Sequence, residues 1–186
     1  MIFDEVITGF RLALGGAQEY FGVIPDMVTL GKIIGGGFPI AAYGGRKEIM
    51  EMVAPAGGVY QAGTFSGNPI SVAAGLATIE YIKSKREIFY ETLESKTNAL
   101  VEALSDLVAE KNYPLQISHI SSMFQIFFTP NPVYDYRSAK TADLARFKTY
   151  HRKLLVQKSK TFRTSWANRM KERPDDEAGK RPTKTP

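Results

Sequence analysis

Apolar residues run in short blocks through the first third of the chain and fall at helical spacing through the middle. Ile2-Phe3 followed by Asp4-Glu5-Val6 reads as the end of a buried strand, apolar until a carboxylate appears at its carboxyl edge. Gly15-Gly16 breaks the chain, and Ala17 to Phe21 suits a short helix stopped by Gly22. Met27-Val28-Thr29-Leu30 is a second strand that delivers Gly31-Lys32 at its end. Gly35-Gly36-Gly37 predicts a loop, Ile40 to Tyr43 a third strand, and Arg46 to Val53 a helix. Asn68-Pro69 opens a long helix, with Asn68 as cap, Pro69 in the first turn and a small-residue face at Ala73, Ala74, Gly75 and Ala77. Phe89, Leu93, Leu100, Leu104 and Leu107 line one side of a second helix from about Arg86 to Lys111. Leu115 to Thr129 predicts one or two strands of a small separate sheet, and Leu144, Phe147 and Leu154-Leu155 a further helix. There is no internal repeat.

Composition narrows the classes. With 186 residues, 44% of them hydrophobic, the chain can bury a core. No apolar run approaches the roughly 20 residues that cross a bilayer. The opening Met-Ile-Phe-Asp-Glu has no signal-peptide pattern, so a cytoplasmic, membrane-free protein is expected. The chain has no cysteine and two histidines, His119 and His151, which are read as structural, so no metal site is expected. The net charge of +5 is uneven: residues 146–186 hold 13 Lys/Arg against 4 Asp/Glu, while residues 1–145 hold 11 against 15. The basic pI is therefore a property of the tail, and nucleic acid is not an expected partner of the body.

Fifteen of the sixteen glycines lie in residues 1–75, where the backbone must turn sharply or approach a ligand, and the candidate chemistry lies there too. Asp4 ends one strand, Lys32 follows the next, and Gly63-Thr64-Phe65-Ser66-Gly67 precedes a helix. Each has a plainer explanation by itself: a loop-anchoring carboxylate, a solvated surface amine, a simple helix cap. Together they suit a cofactor that is an electron sink only while its pyridine nitrogen keeps a proton. Such a cofactor calls for an ionised carboxylate at the ring nitrogen and a desolvated lysine as replaceable nucleophile. It also calls for amides and hydroxyls before a helix to meet a phosphate. Apolar Leu30 and Ile33-Ile34 around Lys32 supply a setting that a solvated lysine does not need.

The runs Ile2-Phe3-Asp4-Glu5-Val6-Ile7-Thr8-Gly9-Phe10-Arg11 and Pro25-Asp26-Met27-Val28-Thr29-Leu30-Gly31-Lys32-Ile33-Ile34-Gly35-Gly36-Gly37 resemble the signature of the class-III aminotransferases. The resemblance covers residues 1 to about 155. It implies an α/β, fold-type I transferase dependent on pyridoxal 5'-phosphate. The chain would hold part of the large domain, a mixed and mostly parallel sheet with helices, and part of a small α+β domain. By the same resemblance Asp4 would pair with the pyridine nitrogen, Val6 would pack on one ring face, and Lys32 would form the Schiff base and act as the catalytic base and acid. Gly63 and Thr64 would bind cofactor, Thr64 reaching the phosphate of the neighbouring subunit in a homodimer.

Tyr60-Gln61-Ala62-Gly63-Thr64-Phe65-Ser66-Gly67-Asn68-Pro69 is similar to the aminomutase branch of that family. That branch converts glutamate 1-semialdehyde to 5-aminolevulinate, the tetrapyrrole precursor, without an external amino donor. The expected organisation is 1–84 as the end of the large domain, 85–111 as a connecting helix, 112–158 as part of the small domain, and 159–186 as a basic tail outside the likeness. The start of that tail is suited to prolong a helix with Phe162 and Trp166 on one side, and Pro174 to Pro186 is expected to be disordered. The first strand matches one deep inside the family's large domain. A truncated chain that holds cofactor weakly and is inactive alone is therefore the expectation. Two alternatives remain: a class-III ω-aminotransferase piece, and a non-catalytic remnant whose basic tail binds nucleic acid.

Overall fold

Two short strands set the frame. In the computed structural model, which describes residues 1–171 and side chains as far as Gln157, β1 (Ile2–Glu5) lies parallel to β2 (Met27–Leu30), with Asp4 opposite Thr29 and Glu5 opposite Leu30. β3 (Ala42–Gly45) runs antiparallel to β2, giving a mixed sheet in the order β1-β2-β3. Side chains alternate across a strand, so Asp4 and Glu5 leave β1 on opposite faces. The crossover between β1 and β2 carries α1 (Gly16–Phe21), which ends at a left-handed Gly22.

The apolar start of β1 is left uncovered. The strand is an edge, paired on one side only, and Ile2 stays 64% exposed. β3 begins two residues later than the pattern places it, because its ladder uses Gly44 and Gly45, which a reading by apolar runs takes for a break. The helix expected to Val53 shrinks to α2 (Lys47–Met50). Pro55 disfavours helical backbone at Ala54, and Ala54 instead donates its N–H to Val59 O at 2.9 Å.

The long elements follow the sequence closely. α3 (Pro69–Ser84) starts at Asn68, whose Oδ1 accepts from the Ile70 and Ser71 amides at 3.1 Å each, with Pro69 in the first turn. α4 (Arg86–Glu110) is joined to the β1–β2 connection by Tyr90, whose hydroxyl donates to Phe10 O at 3.0 Å, and by the ion pair of Arg86 with Glu19. Burial first, then the nearby Glu19 carboxylate, push the Tyr90 phenol up to about 12, against the opposing pull of Arg86. β4 (Gln116–Ile120) and β5 (Met123–Phe127) form a two-stranded sheet turning at Ser121, whose φ is 45°. Among the described residues the buried apolar side chains are Leu12, Ile82, Val101 and Ile126.

The chain divides into two compact units. The first holds Met1–Tyr113 and Ile117–Ile126, the second Pro114–Gln116 and the described residues from Phe127 onward. Within the second, α5 (Tyr136–Ala139) begins with a reciprocal cap between Asp135 and Ser138. Phe128, Phe147 and Tyr150 pack ring against ring at the start of α6 (Leu144–Lys171), where His151 stacks on Phe147. His119 sits exposed on β4. No helix among the described residues is long and apolar enough to cross a membrane, and none of their His, Cys, Asp and Glu side chains cluster as a metal site. The side chains of Phe162 and Trp166 and the stretch 174–186 lie outside the described residues.

Candidate active site

Parallel, in-register pairing of β1 and β2 brings both carboxyl ends to one edge, the edge of an α/β sheet where ligands bind. Asp4 is exposed there, and its Oδ1 accepts from the Val6 amide at 3.0 Å and from the Thr29 hydroxyl at 3.3 Å. Val6 packs against Gly31: a Cβ on that glycine would stand 3.3 Å from Val6 Cγ1. The next residue is Lys32, in the left-handed region at φ 49°, at the head of a 3-10 turn spanning Lys32–Gly35.

Beside this edge lies a cavity of about 660 Å³, lined by Val6, Thr29 and Leu30, by Pro39 to Tyr43, and by Gln61 and Gly63 to Gly67. Val6, Gly63 and Thr64 therefore share one cavity within a single chain. Asp4 and Lys32 are not among the lining residues; Asp4 reaches the wall through its bond to the Thr29 hydroxyl. Ser66 donates its amide to Gly63 O at 3.0 Å, closing a turn immediately before the capped start of α3.

The setting expected for Lys32 differs from the one formed. The side chain is exposed rather than closed in by Leu30 and Ile33-Ile34, and it makes no hydrogen bond or ion pair among the described residues. Consecutive side chains diverge around a 3-10 turn, so sequence neighbours do not wall one another in.

Glu5 is the feature that sequence reasoning passed over. Its carboxylate is 1% exposed and accepts from the Thr8 hydroxyl (2.9 Å), the amides of Ala17 (2.6 Å) and Gln18 (3.0 Å), and the Gln18 side chain (3.3 Å). Burial pushes its pKa up, but the amides of Ala17 and Gln18, with Thr8 and the Gln18 side chain, together hold it below the ordinary glutamate value. Gly16, at φ 74°, is where a Cβ would collide with that carboxylate. The usable signal was Gly15-Gly16 ahead of a helix start, which supplies free amides to a carboxylate.

The family model described as aminotransferase class-III matches residues 1–148. The chain belongs to the class-III aminotransferase family. Among its curated relatives, the glutamate-1-semialdehyde 2,1-aminomutase of Methanobrevibacter smithii is 54% identical over 157 residues, 84% of this chain and 36% of the relative. The chain thus spans about a third of the length of the curated relatives it matches. Of the solved family structures, an omega-transaminase from Sphaerobacter thermophilus is 36% identical, with a TM-score of 0.67 over 74% of this chain and 31% of that one. A glutamate-1-semialdehyde aminomutase from Pseudomonas aeruginosa PAO1 shares the fold at 23% identity, with a TM-score of 0.64 over 76% of this chain and 33% of its own. The mixed α/β architecture is the family's.

Proposed function

We propose that this chain carries part of the cofactor site of a homodimeric, cytoplasmic aminomutase of the class-III family that converts glutamate 1-semialdehyde to 5-aminolevulinate with pyridoxal 5'-phosphate, and that the chain by itself holds the cofactor weakly and does not turn over. The reading rests on the register that opposes Asp4 to Thr29. That register sets a carboxylate, the Val6–Gly31 contact and the start of the Lys32 turn at one strand edge, in a chain 54% identical to an aminomutase.

The residues present fit the cofactor. A volume of about 660 Å³ falls in the range of small-molecule sites, roughly 300–1,000 Å³. Val6 offers an apolar wall, and Gly63, Thr64 and Ser66 offer amides and hydroxyls beside a helix start, suited to the phosphate of the cofactor in the neighbouring subunit of the homodimer. The acceptor-only carboxylate of Asp4 meets the need of a protonated ring nitrogen. When bound, pyridoxal phosphate draws electrons away from the substrate carbon next to nitrogen. Asp4 holds the positive charge that this requires. Lys32 Nζ, free of internal partners among the described residues, accepts and returns the proton of that carbon.

Reductive trapping tests the assignment. Borohydride treatment of a full-length relative that holds this segment, with pyridoxal phosphate, followed by peptide mass mapping, is expected to place the adduct on the lysine matching Lys32 alone. Labelling spread over the other lysines, or absent from that one, overturns the reading. The omega-transaminase likeness supports a second reading, a two-substrate aminotransferase. Glutamate 1-semialdehyde supplied to a full-length version without any second amino compound separates the two, since only an aminomutase then turns over continuously.

A further inference from the structure

The backbone of Lys32 is held in a conformation that a lysine disfavours. A left-handed residue with a Cβ persists only when its surroundings leave it no alternative. The turn is anchored in front by Gly31, extended at φ −163° and packed on Val6, and it closes with Gly36 donating its amide to Ile33 O at 3.0 Å. The remaining constraint comes from α3. Gly75 faces the turn so closely that a Cβ there would overlap Ile34 O, and a Cβ on Gly36 would likewise overlap the Thr78 hydroxyl and Ala74 O. Gly75 is buried in the middle of a helix, where alanine is the better helix former. Its place there is explained by the approach of the turn and by nothing in the helix itself.

We infer that Gly75 is a positioning residue for Lys32: by letting α3 seat against Ile34, it holds the 3-10 turn in the form that forces Lys32 left-handed. The relevance to catalysis rests on the role proposed for Lys32, whereas the mechanical coupling between the two positions does not. The same helix begins at Asn68, beside the Gly63–Ser66 turn, so one rigid element supports both the amine and the hydroxyl wall of the cavity.

A stability cycle on the full 186-residue chain, without cofactor, tests the coupling. Glycine relieves a left-handed residue, so Lys32→Gly is expected to raise the folding equilibrium constant about five-fold in the native background. With Gly75→Ala present the turn is pushed off α3, and the gain from Lys32→Gly is expected to fall below about two-fold, a non-additivity that independent sites do not show. Equal gains in both backgrounds overturn the inference, and so does the absence of any gain in the native one. Should Gly75→Ala not fold, Thr78→Ala removes the hydroxyl packed on Gly36 without adding bulk and is read against the same two outcomes. A failed cycle with the lysine matching Lys32 still trapped by borohydride rejects the positioning role alone. An intact cycle with trapping elsewhere rejects only the proposed function.

Discussion

Glu5 and Asp4 are adjacent carboxylates with opposite situations, and the physics of each is set by its donors. Hydrogen bonds to a buried charge are worth more than neutral ones, so Glu5→Gln, which turns an acceptor oxygen into an amide facing donors, is expected to cost about 2–3 kcal/mol at neutral pH, measured by urea unfolding. Because the folded pKa of Glu5 is depressed, its contribution is complete above the pKa of an unfolded glutamate and is lost as pH falls through the lower, folded value. The gap between native chain and Glu5→Gln should therefore close as the solution is acidified. A gap that widens there contradicts the sign. The positions of Asp4 and Lys32 at neighbouring strand ends were legible because short apolar runs followed by a polar residue mark those ends locally. The role of Glu5 was not, since its donors come from Thr8 to Gln18 and only the folded crossover gathers them. The positive φ of Lys32 left no trace in composition, because the glycine that enforces it lies more than forty positions away.

At the level of elements, the limits of α3 and α4 could be read because their signals are local, a capping side chain and a proline in the first turn among them; the apolar side expected on α4 is not the one buried, since Leu100 and Leu107 are each 45% exposed while Thr97 and Val101 are buried. Removing such a signal should be felt locally. Asn68→Ala leaves the Ile70 and Ser71 amides without their acceptor and is expected to cost about 1 kcal/mol in thermal unfolding. Tyr90→Phe deletes the bond to Phe10 O that ties α4 to the crossover and should cost a similar amount, about 1 kcal/mol. β3 and α2 were misjudged for the opposite reason. A glycine-containing strand takes its position from its partner, as Leu30 opposite Ala42 shows, and a four-residue helix has too few turns for periodicity to mark its end.

For the whole molecule the informative quantity is how much apolar surface stays in water. Ile24 is 89% exposed, Ile88 71%, and Ile2 lies on the unpaired edge of β1. Exposed edges and large apolar side chains favour association. Sedimentation of the purified chain across a dilution series is expected to show concentration-dependent oligomers, and a strictly monomeric profile would contradict this.

The pleat of β1 carries one further consequence. Faces alternate with a period of two, so the strand works like a reading frame with a parity. If β1 slid by a single residue so that Glu5 stood opposite Thr29, Glu5 would turn away from the amides that now bind it, and Asp4 would pass to their face opposite Val28, one pair out of place and on a shorter stem. Loop insertions between the first two strands are thus tolerable only if they leave that parity untouched.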